Sequence, residues 1–537
     1  MAGEKGMAEP VGLRLVTKGR GAEFDRFLIL DAFLFVAVPA IVTLISYYTK
    51  SFWGDEILSI SFAVRPGWET FAALAGDYHP PLYFLLLKLW VAFFGTGEFG
   101  LRCFQTVQGI LLLWVSLKLF RKIFPDRRYH PFWLLLIVSS ELWLFMPMLR
   151  YYTLAASLAM ISTNLLWNWK KEPSFDNTLF LILSYIALLY TDYPTSVVIA
   201  FHFGYILFTK RSLAPLLFMS DVIAVVAFLP WMVITIGQIG GLRALGHAAD
   251  LNASPFAMLV KCGYSAYAFL LGETVYPFES IAVIFAALLV GIVLVGAWRN
   301  SIFKGGQLWF HGGLAISGIL FTSVITTYIS THTSFIYTPS RTFFGLGFLY
   351  AALGVFHDSL KTSRLKYLLI GIFAVVIGYG DYNLAMNRHF LMPVYATPWK
   401  EVLRDLRDED GMIFADEGLC YDYYQNHLGG AYPVLQRFSS ARDLSDKVTE
   451  RLAEHPEGVS VYVIIQGRES TESEISLDLI TYLQGNGSLE YEKKYLLLDE
   501  SYRTIKSRIL HRESYVAKVT LYKYVLKDFR KNRYPMG

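Results

Sequence analysis

FLILDAFLFVAVPAIVTLISYYTKSFWGDE, residues 27–56, decides the class of fold. From Phe27 to Tyr48 the run is apolar and long enough to cross a bilayer, because about 20 helical residues span the hydrocarbon core. The polar residues 1–26 before it carry Arg14, Lys18, Arg20 and Arg26, so the segment reads as a signal anchor with a cytoplasmic N-terminus. Just past its far end stand two adjacent acids, Asp55 and Glu56, at the membrane surface.

Working outward, apolar runs recur near 99–120, 131–149, 151–169, 176–191, 193–209, 213–237, 278–298, 308–330, 341–357 and 366–386. Basic clusters follow every second one: Arg121, Lys122, Arg127 and Arg128; then Lys170 and Lys171; Lys210 and Arg211; Arg299 and Lys304; Lys361, Arg364 and Lys366. That alternation marks cytoplasmic loops. The expectation is a polytopic α-helical membrane protein with about 11 transmembrane helices (range 11–13) over residues 27–390. Residues 82–95 are apolar but short for a span, so they are expected to form a re-entrant or interfacial helix inside a first outer loop, 49–98.

The charge pattern changes near Trp399. Over the whole chain 54% of residues are hydrophobic and only 17% charged, yet charge crowds the C-terminal part. Residues 391–537 therefore read as a soluble extracytoplasmic α/β domain. Its expected strands are Met412–Ala415, Val459–Gln466 and Val516–Leu526; its expected helices are Pro398–Arg407, Ala441–Glu454 and Glu474–Gln484. Three cysteines, Cys103, Cys262 and Cys420, form no metal or disulfide pattern. Asn252 and Asn486 open N-glycosylation patterns, which are weak signals. No phosphate-binding loop or dinucleotide fingerprint is present, which disfavours a nucleotide-driven pump, and nothing points to nucleic acid.

Candidate chemistry gathers on the outer side. Asp55 and Glu56 could take a proton from an acceptor hydroxyl, the general-base role. Asp77-Tyr78-His79-Pro80-Pro81-Leu82-Tyr83 follows, its prolines opening the short apolar helix and holding Asp77 and His79 at the mouth of the membrane domain. Arg102, Arg150 and Arg341 lie at outer ends of spans, where charge is costly and usually faces a cavity or a partner. Their forked guanidinium groups suit phosphate; snorkelling to lipid headgroups is the plain alternative. Lys88, inside the short helix, either reaches phosphate or snorkels. Asp192, in an outer turn, pairs with an arginine or contacts substrate, and His332 and Tyr337 stand in the last outer loop.

In this order the motifs resemble the GT-C membrane glycosyltransferases, above all the protein O-mannosyltransferases and the aminoarabinose transferases of lipid A. The likeness rests on Asp55-Glu56, the His79-Pro-Pro-Leu-Tyr83 box, Glu98-Phe-Gly-Leu-Arg102, Arg150-Tyr-Tyr-Thr-Leu154, Pro339-Ser-Arg341 and Trp399-Lys-Glu401. It implies a polyprenyl (dolichyl or undecaprenyl) phosphate sugar donor, a protein, glycan or lipid acceptor, and inversion at the anomeric carbon. Asp55 would be the base, with Glu56 beside it. Arg102, Arg150 and Arg341 would hold the donor phosphate. Some relatives bind a divalent metal near the loop acids, a role open to Asp55, Glu56 and Asp77, although metal-free catalysis ranks first. The aminoarabinose group has a lysine where His79 stands, which favours the mannosyltransferase-like side. A transporter of lipid-linked substrates would need repeats and broken helices. An O-antigen ligase or polymerase would place its large outer loop between spans, not at the end.

Overall fold

The computed structural model describes residues 29–526 except 78, 245–254, 301–305, 331–338, 416–417, 437–440, 456, 468–473 and 511–515. Five of its helices are long and apolar enough to cross a membrane: Ile29–Thr49, Glu98–Ile123, Arg211–Gln238, Ser280–Trp298 and Ser363–Ala385. Between them run Pro131–Ile137 and Ser140–Phe145, Tyr152–Lys171, Phe175–Leu189, Ser196–Thr209, Gly306–Ser330 and Leu346–Ser359. The bilayer-facing sides are apolar, as Val283, Ile284, Val290 and Leu294, all more than half exposed on one helix, show. At some helix contacts only glycine fits. A Cβ on Gly380 would meet the Ser140 Oγ at 2.5 Å.

The expected short helix is Leu82–Phe94. Its first amide, Leu82 N, donates to Tyr190 O at 2.9 Å, and just past its other end Thr96 O accepts from the Tyr423 hydroxyl of the C-terminal domain at 2.9 Å. One end of the helix thus packs on the helix Phe175–Leu189 and the other meets the C-terminal domain. A second such helix, Pro255–Leu271, occupies part of what was expected to be a plain outer loop, 238–277. Lys261 and Gly263 break its apolar run, so hydropathy alone passes over it. The chain just after it returns to the domain face, where Glu273 O accepts from Leu391 N at 2.8 Å.

The C-terminal domain is built on a five-stranded sheet in the order β2-β1-β3-β5-β4. Its strands are β1 Met412–Ala415, β2 Val434–Leu435, β3 Val459–Gln466, β4 Ser488–Leu497 and β5 Ala517–Leu526. β1 pairs in parallel with β2 and β3, while β5 runs antiparallel to both β3 and β4. Side chains alternate between faces. Met412, Phe414, Val461 and Val463 pack with Val448 and Leu483 of the helices Ala441–Glu454 and Glu474–Asn486. Ile413, Tyr462 and Ile464 join the continuous core that reaches the membrane bundle through Tyr421 and Tyr424. β4 shows no strand pattern in the sequence, because SLEYEKKYLL carries charge where a buried strand would alternate. It is a sheet edge, where charged side chains are the rule.

Candidate active site

The stretch Trp53-Gly-Asp-Glu56 folds as it does because glutamate at the third helical position can cap a helix start. Trp53 is extended, the helix Gly54–Ala63 begins behind it, and Glu56 Oε2 accepts from Trp53 N at 3.1 Å. Its other oxygen accepts from Leu149 N at 2.7 Å. Glu56 is buried, and burial raises its carboxyl to about 7 against the pull of Arg102 and these two amides. Both its oxygens are thus committed to backbone. Asp55, one residue earlier, keeps its side chain 40% exposed in the first turn of the helix.

Arg150 follows a tight turn in which its amide donates to Met148 O at 2.7 Å, and it is fully buried. Its Nη1 donates to Asp55 O and to Ser59 Oγ, both at 3.1 Å; its Nη2 lies 3.6 Å from Asp55 Oδ2 and 2.9 Å from His79 Nε2. Its Nε–H has no partner among the described residues. Arg341, from the turn Pro339–Gly345, donates through Nη1 to His79 Nε2 at 3.3 Å and to the Tyr151 hydroxyl.

Guanidinium N–H groups only donate. His79 Nε2 is therefore the acceptor for both arginines, and the ring proton sits on Nδ1, which donates to Asp77 Oδ2 at 2.6 Å. Burial and Arg150 push the His79 pKa below its usual value, opposed by Asp77, so the ring is neutral. Asp192 is buried, and burial raises it to about 7 while Arg341 pulls the other way. Asp55, Asp77, His79, Arg150, Arg341 and Asp192 thus form one electrostatic cluster at the face beneath the C-terminal domain.

The remaining candidates lie outside this cluster and make other contacts. Arg102 is buried with Nε on Glu98 Oε1 at 2.9 Å, Nη1 on Ser46 Oγ at 2.8 Å and Nη2 on Lys50 O at 3.3 Å, and it stacks over the Phe52 ring. Lys88 caps the end of the helix Gly54–Ala63 by donating to Ala63 O at 3.4 Å and to Arg65 O. Tyr83 is buried under the cluster, where its hydroxyl accepts from Gln105 Nε2 at 3.2 Å. Tyr78, His332 and Tyr337 lie outside the described residues. Two participants were absent from the sequence reading. Ser59 stands one helical turn from Asp55, a spacing that could have pointed to it. Tyr151 directly follows Arg150, in the same motif.

Among the described residues, one group of side chains could hold a metal: His130, His357 and Asp358, with ligand atoms all within 4.8 Å of one another. It sits at the opposite face, beyond the far end of the helix Glu98–Ile123. Its donor set is already shared, since Arg127 Nη1 lies 3.0 Å from Asp358 Oδ1. His130 Nδ1 accepts from Phe132 N at 3.2 Å, which leaves its proton on the nitrogen that faces Asp358. An open crevice of about 690 Å³ between the helices Ser280–Asn300 and Ser363–Ala385 is lined by apolar groups such as Ile284, Leu288 and Val375, and is separate from the cluster.

No family model matches the chain, and no curated relative does. Two solved structures align over nearly all of it. ArnT from Cupriavidus metallidurans in the apo state is 14% identical with a TM-score of 0.47, covering 93% of this chain and 98% of that one. The same protein bound to undecaprenyl phosphate is 15% identical with a TM-score of 0.44, at the same coverage.

Proposed function

We propose that the chain is an inverting membrane glycosyltransferase of the GT-C type, moving a sugar from a polyprenyl phosphate to an acceptor hydroxyl. The observation that carries this reading is Arg150: a buried guanidinium 3.6 Å from the exposed carboxylate of Asp55, sharing His79 with Arg341, and with its Nε–H unmet among the described residues. A fixed guanidinium pair beside a carboxylate supplies the positive charge for a leaving phosphate and a base for an incoming hydroxyl. The ordered motifs from Asp55 to Trp399 support the same reading.

The chemistry follows from the charges. Asp55 takes the proton of the acceptor hydroxyl, and that oxygen attacks the anomeric carbon from the side opposite the phosphate. The bond from carbon to phosphate oxygen breaks, and the polyprenyl phosphate leaves with the electron pair. Charge grows on the leaving oxygen, where Arg150 and Arg341 supply fixed positive charge in a site of low polarity. Asp77 and His79 hold the two guanidinium groups in place, and Asp192 balances Arg341. Glu56 caps the helix that presents Asp55.

In this reading residues 27–390 are the membrane domain, crossing eleven times, and 391–537 the extracytoplasmic domain. The N-terminus is cytoplasmic and the membrane is the plasma or inner membrane. Basic clusters at alternate loops support that orientation. Mannose is the first donor sugar to try.

The test is label transfer in proteoliposomes from radiolabelled undecaprenyl- or dolichyl-phosphate mannose to envelope acceptors. Transfer by wild type that Asp55→Asn abolishes without loss of fold supports the reading. Transfer that survives Asp55→Asn moves the base to another acid. Failure with every lipid-linked sugar tried returns the transporter.

A further inference from the structure

Lys50 to Trp53 carry no chemistry of their own, yet the C-terminal part of the chain grips every residue from Thr49 to Trp53. Thr49 O accepts from Asn387 Nδ2 at 2.5 Å, and the Lys50 ammonium lies over the Phe390 ring at 5.2 Å. Ser51 Oγ accepts from Lys400 N at 2.9 Å, and Lys50 O accepts from Lys400 Nζ at the same distance. Phe52 N donates to the Tyr424 hydroxyl at 2.5 Å, and the Trp53 ring packs edge-on against Tyr395 at 5.8 Å.

These contacts close into one network. The Tyr424 hydroxyl donates to Glu98 Oε2 at 3.4 Å, while Glu98 Oε1 receives Lys400 Nζ at 2.7 Å and Arg102 Nε at 2.9 Å. Tyr424, Glu98 and Arg102 are buried, so no water competes for these bonds. The strap they hold ends two residues before Asp55. Its last member, Trp53, is also the residue whose amide Glu56 caps.

We infer that Tyr424 and Lys400 of the C-terminal domain are positioning residues for Asp55: they fix the strap 49–53, and with it the height and direction of the helix that presents the carboxylate. This rests on the function proposed above and adds a role for the domain, as part of the scaffold of the reaction and not only a surface for acceptors. Reactivity falls steeply when a base moves by about 1 Å, with losses on the order of a hundredfold. A hydroxyl and an ammonium that touch no substrate can then govern turnover.

The experiment uses the full chain in proteoliposomes, as wild type, Tyr424→Phe, Lys400→Met and Lys400→Arg. Two readouts run together: deuterium uptake by residues 50–58, and steady-state transfer from the polyprenyl-phosphate sugar that wild type accepts. The expectation for Tyr424→Phe and Lys400→Met is faster exchange in 50–58 and a kcat lower by about 10- to 100-fold. KM for the donor and exchange at 150–160 stay as in wild type. Lys400→Arg, which keeps the donors, restores both. Unchanged exchange in 50–58 overturns the inference, as does faster exchange with full kcat, or a loss confined to KM. A wild type that transfers no sugar defeats the functional reading, and positioning for catalysis falls with it. The exchange arm then still decides whether the two side chains hold the strap.

Discussion

His79 Nε2 accepts from Arg150 Nη2 at 2.9 Å and from Arg341 Nη1 at 3.3 Å, so a single imidazole nitrogen sets the spacing of two guanidinium groups, one buried and one half-buried. The arrangement exists only while the ring is neutral. A proton on Nε2 would turn the acceptor into a donor facing two cations.

Acid should therefore disassemble the cluster. The His79 pKa is held below its usual 6.5, so the folded state binds this proton less readily than the unfolded chain. Stability from this group is complete above the usual value and is lost as pH falls through it toward the folded value. Transfer should show an acid limb below pH 6.5, and Asp77→Asn, which removes the group that raises the His79 pKa, should move that limb to lower pH. A pH–rate profile checks both. A limb that moves upward in Asp77→Asn contradicts the tautomer assigned here.

The adjacent acids should separate cleanly. Asp55→Asn is expected to abolish transfer while leaving thermal unfolding near wild type, because its side chain is 40% exposed. Glu56→Gln has one acceptor oxygen for two backbone amides, Trp53 N and Leu149 N, and turns an NH₂ toward one of them. Leaving a buried donor unmet costs about 1–3 kcal/mol. The thermal midpoint of Glu56→Gln should fall accordingly, with reduced but measurable transfer. Equal loss of activity at equal stability in the two variants would show that they share one role.

Much of this was legible in the sequence. Residues 27–48, the alternating basic loops and the charge shift near Trp399 follow from the cost of charge in a bilayer, and that cost acts along the chain. Asp55, His79, Arg150 and Arg341 could be named as candidates for the same reason. Their sharing of one imidazole could not, because residues 79, 150 and 341 meet only through tertiary packing. The acids at 55 and 56 look equivalent in a string of letters. They differ in space because one stays 40% exposed beside Arg150 and the other folds back as the helix cap. β4 and the helix Pro255–Leu271 escaped for the opposite reason, since charge on an edge strand and Lys261 in a short helix hide the pattern.

The three candidate arginines should divide in the same way. Arg102 spends its donors on Glu98, Ser46, Pro147 O and Lys50 O, which leaves little for a phosphate. Breaking such a buried pair costs about 3–5 kcal/mol. Arg102→Ala should therefore lower thermal stability steeply. Arg341→Lys keeps the charge but loses the fork, and should weaken transfer and binding of a short-chain polyprenyl phosphate by about tenfold at near-normal stability. Titration with that lipid phosphate and thermal unfolding, on the same preparations, make the comparison. Tight binding by a folded Arg102→Ala together with wild-type binding by Arg341→Lys fits a phosphate held elsewhere.

Lys88 offers the sharpest contrast with its reading as a phosphate ligand. Its ammonium closes the C-terminal end of the helix Gly54–Ala63 through Ala63 O and Arg65 O, and also meets Thr70 Oγ1 at 3.1 Å. A cation there opposes the negative end of the helix and satisfies carbonyls that lack helical partners. Asp55 stands at the other end of the same short helix, so loosening one end is felt at the other. Lys88→Met should lower stability by about 1–2 kcal/mol and slow transfer modestly, with KM for the lipid-linked donor unchanged. Lys88→Arg should recover most of both. A rise in donor KM of tenfold or more in Lys88→Met, at wild-type stability, would return Lys88 to the phosphate and remove it from the helix cap.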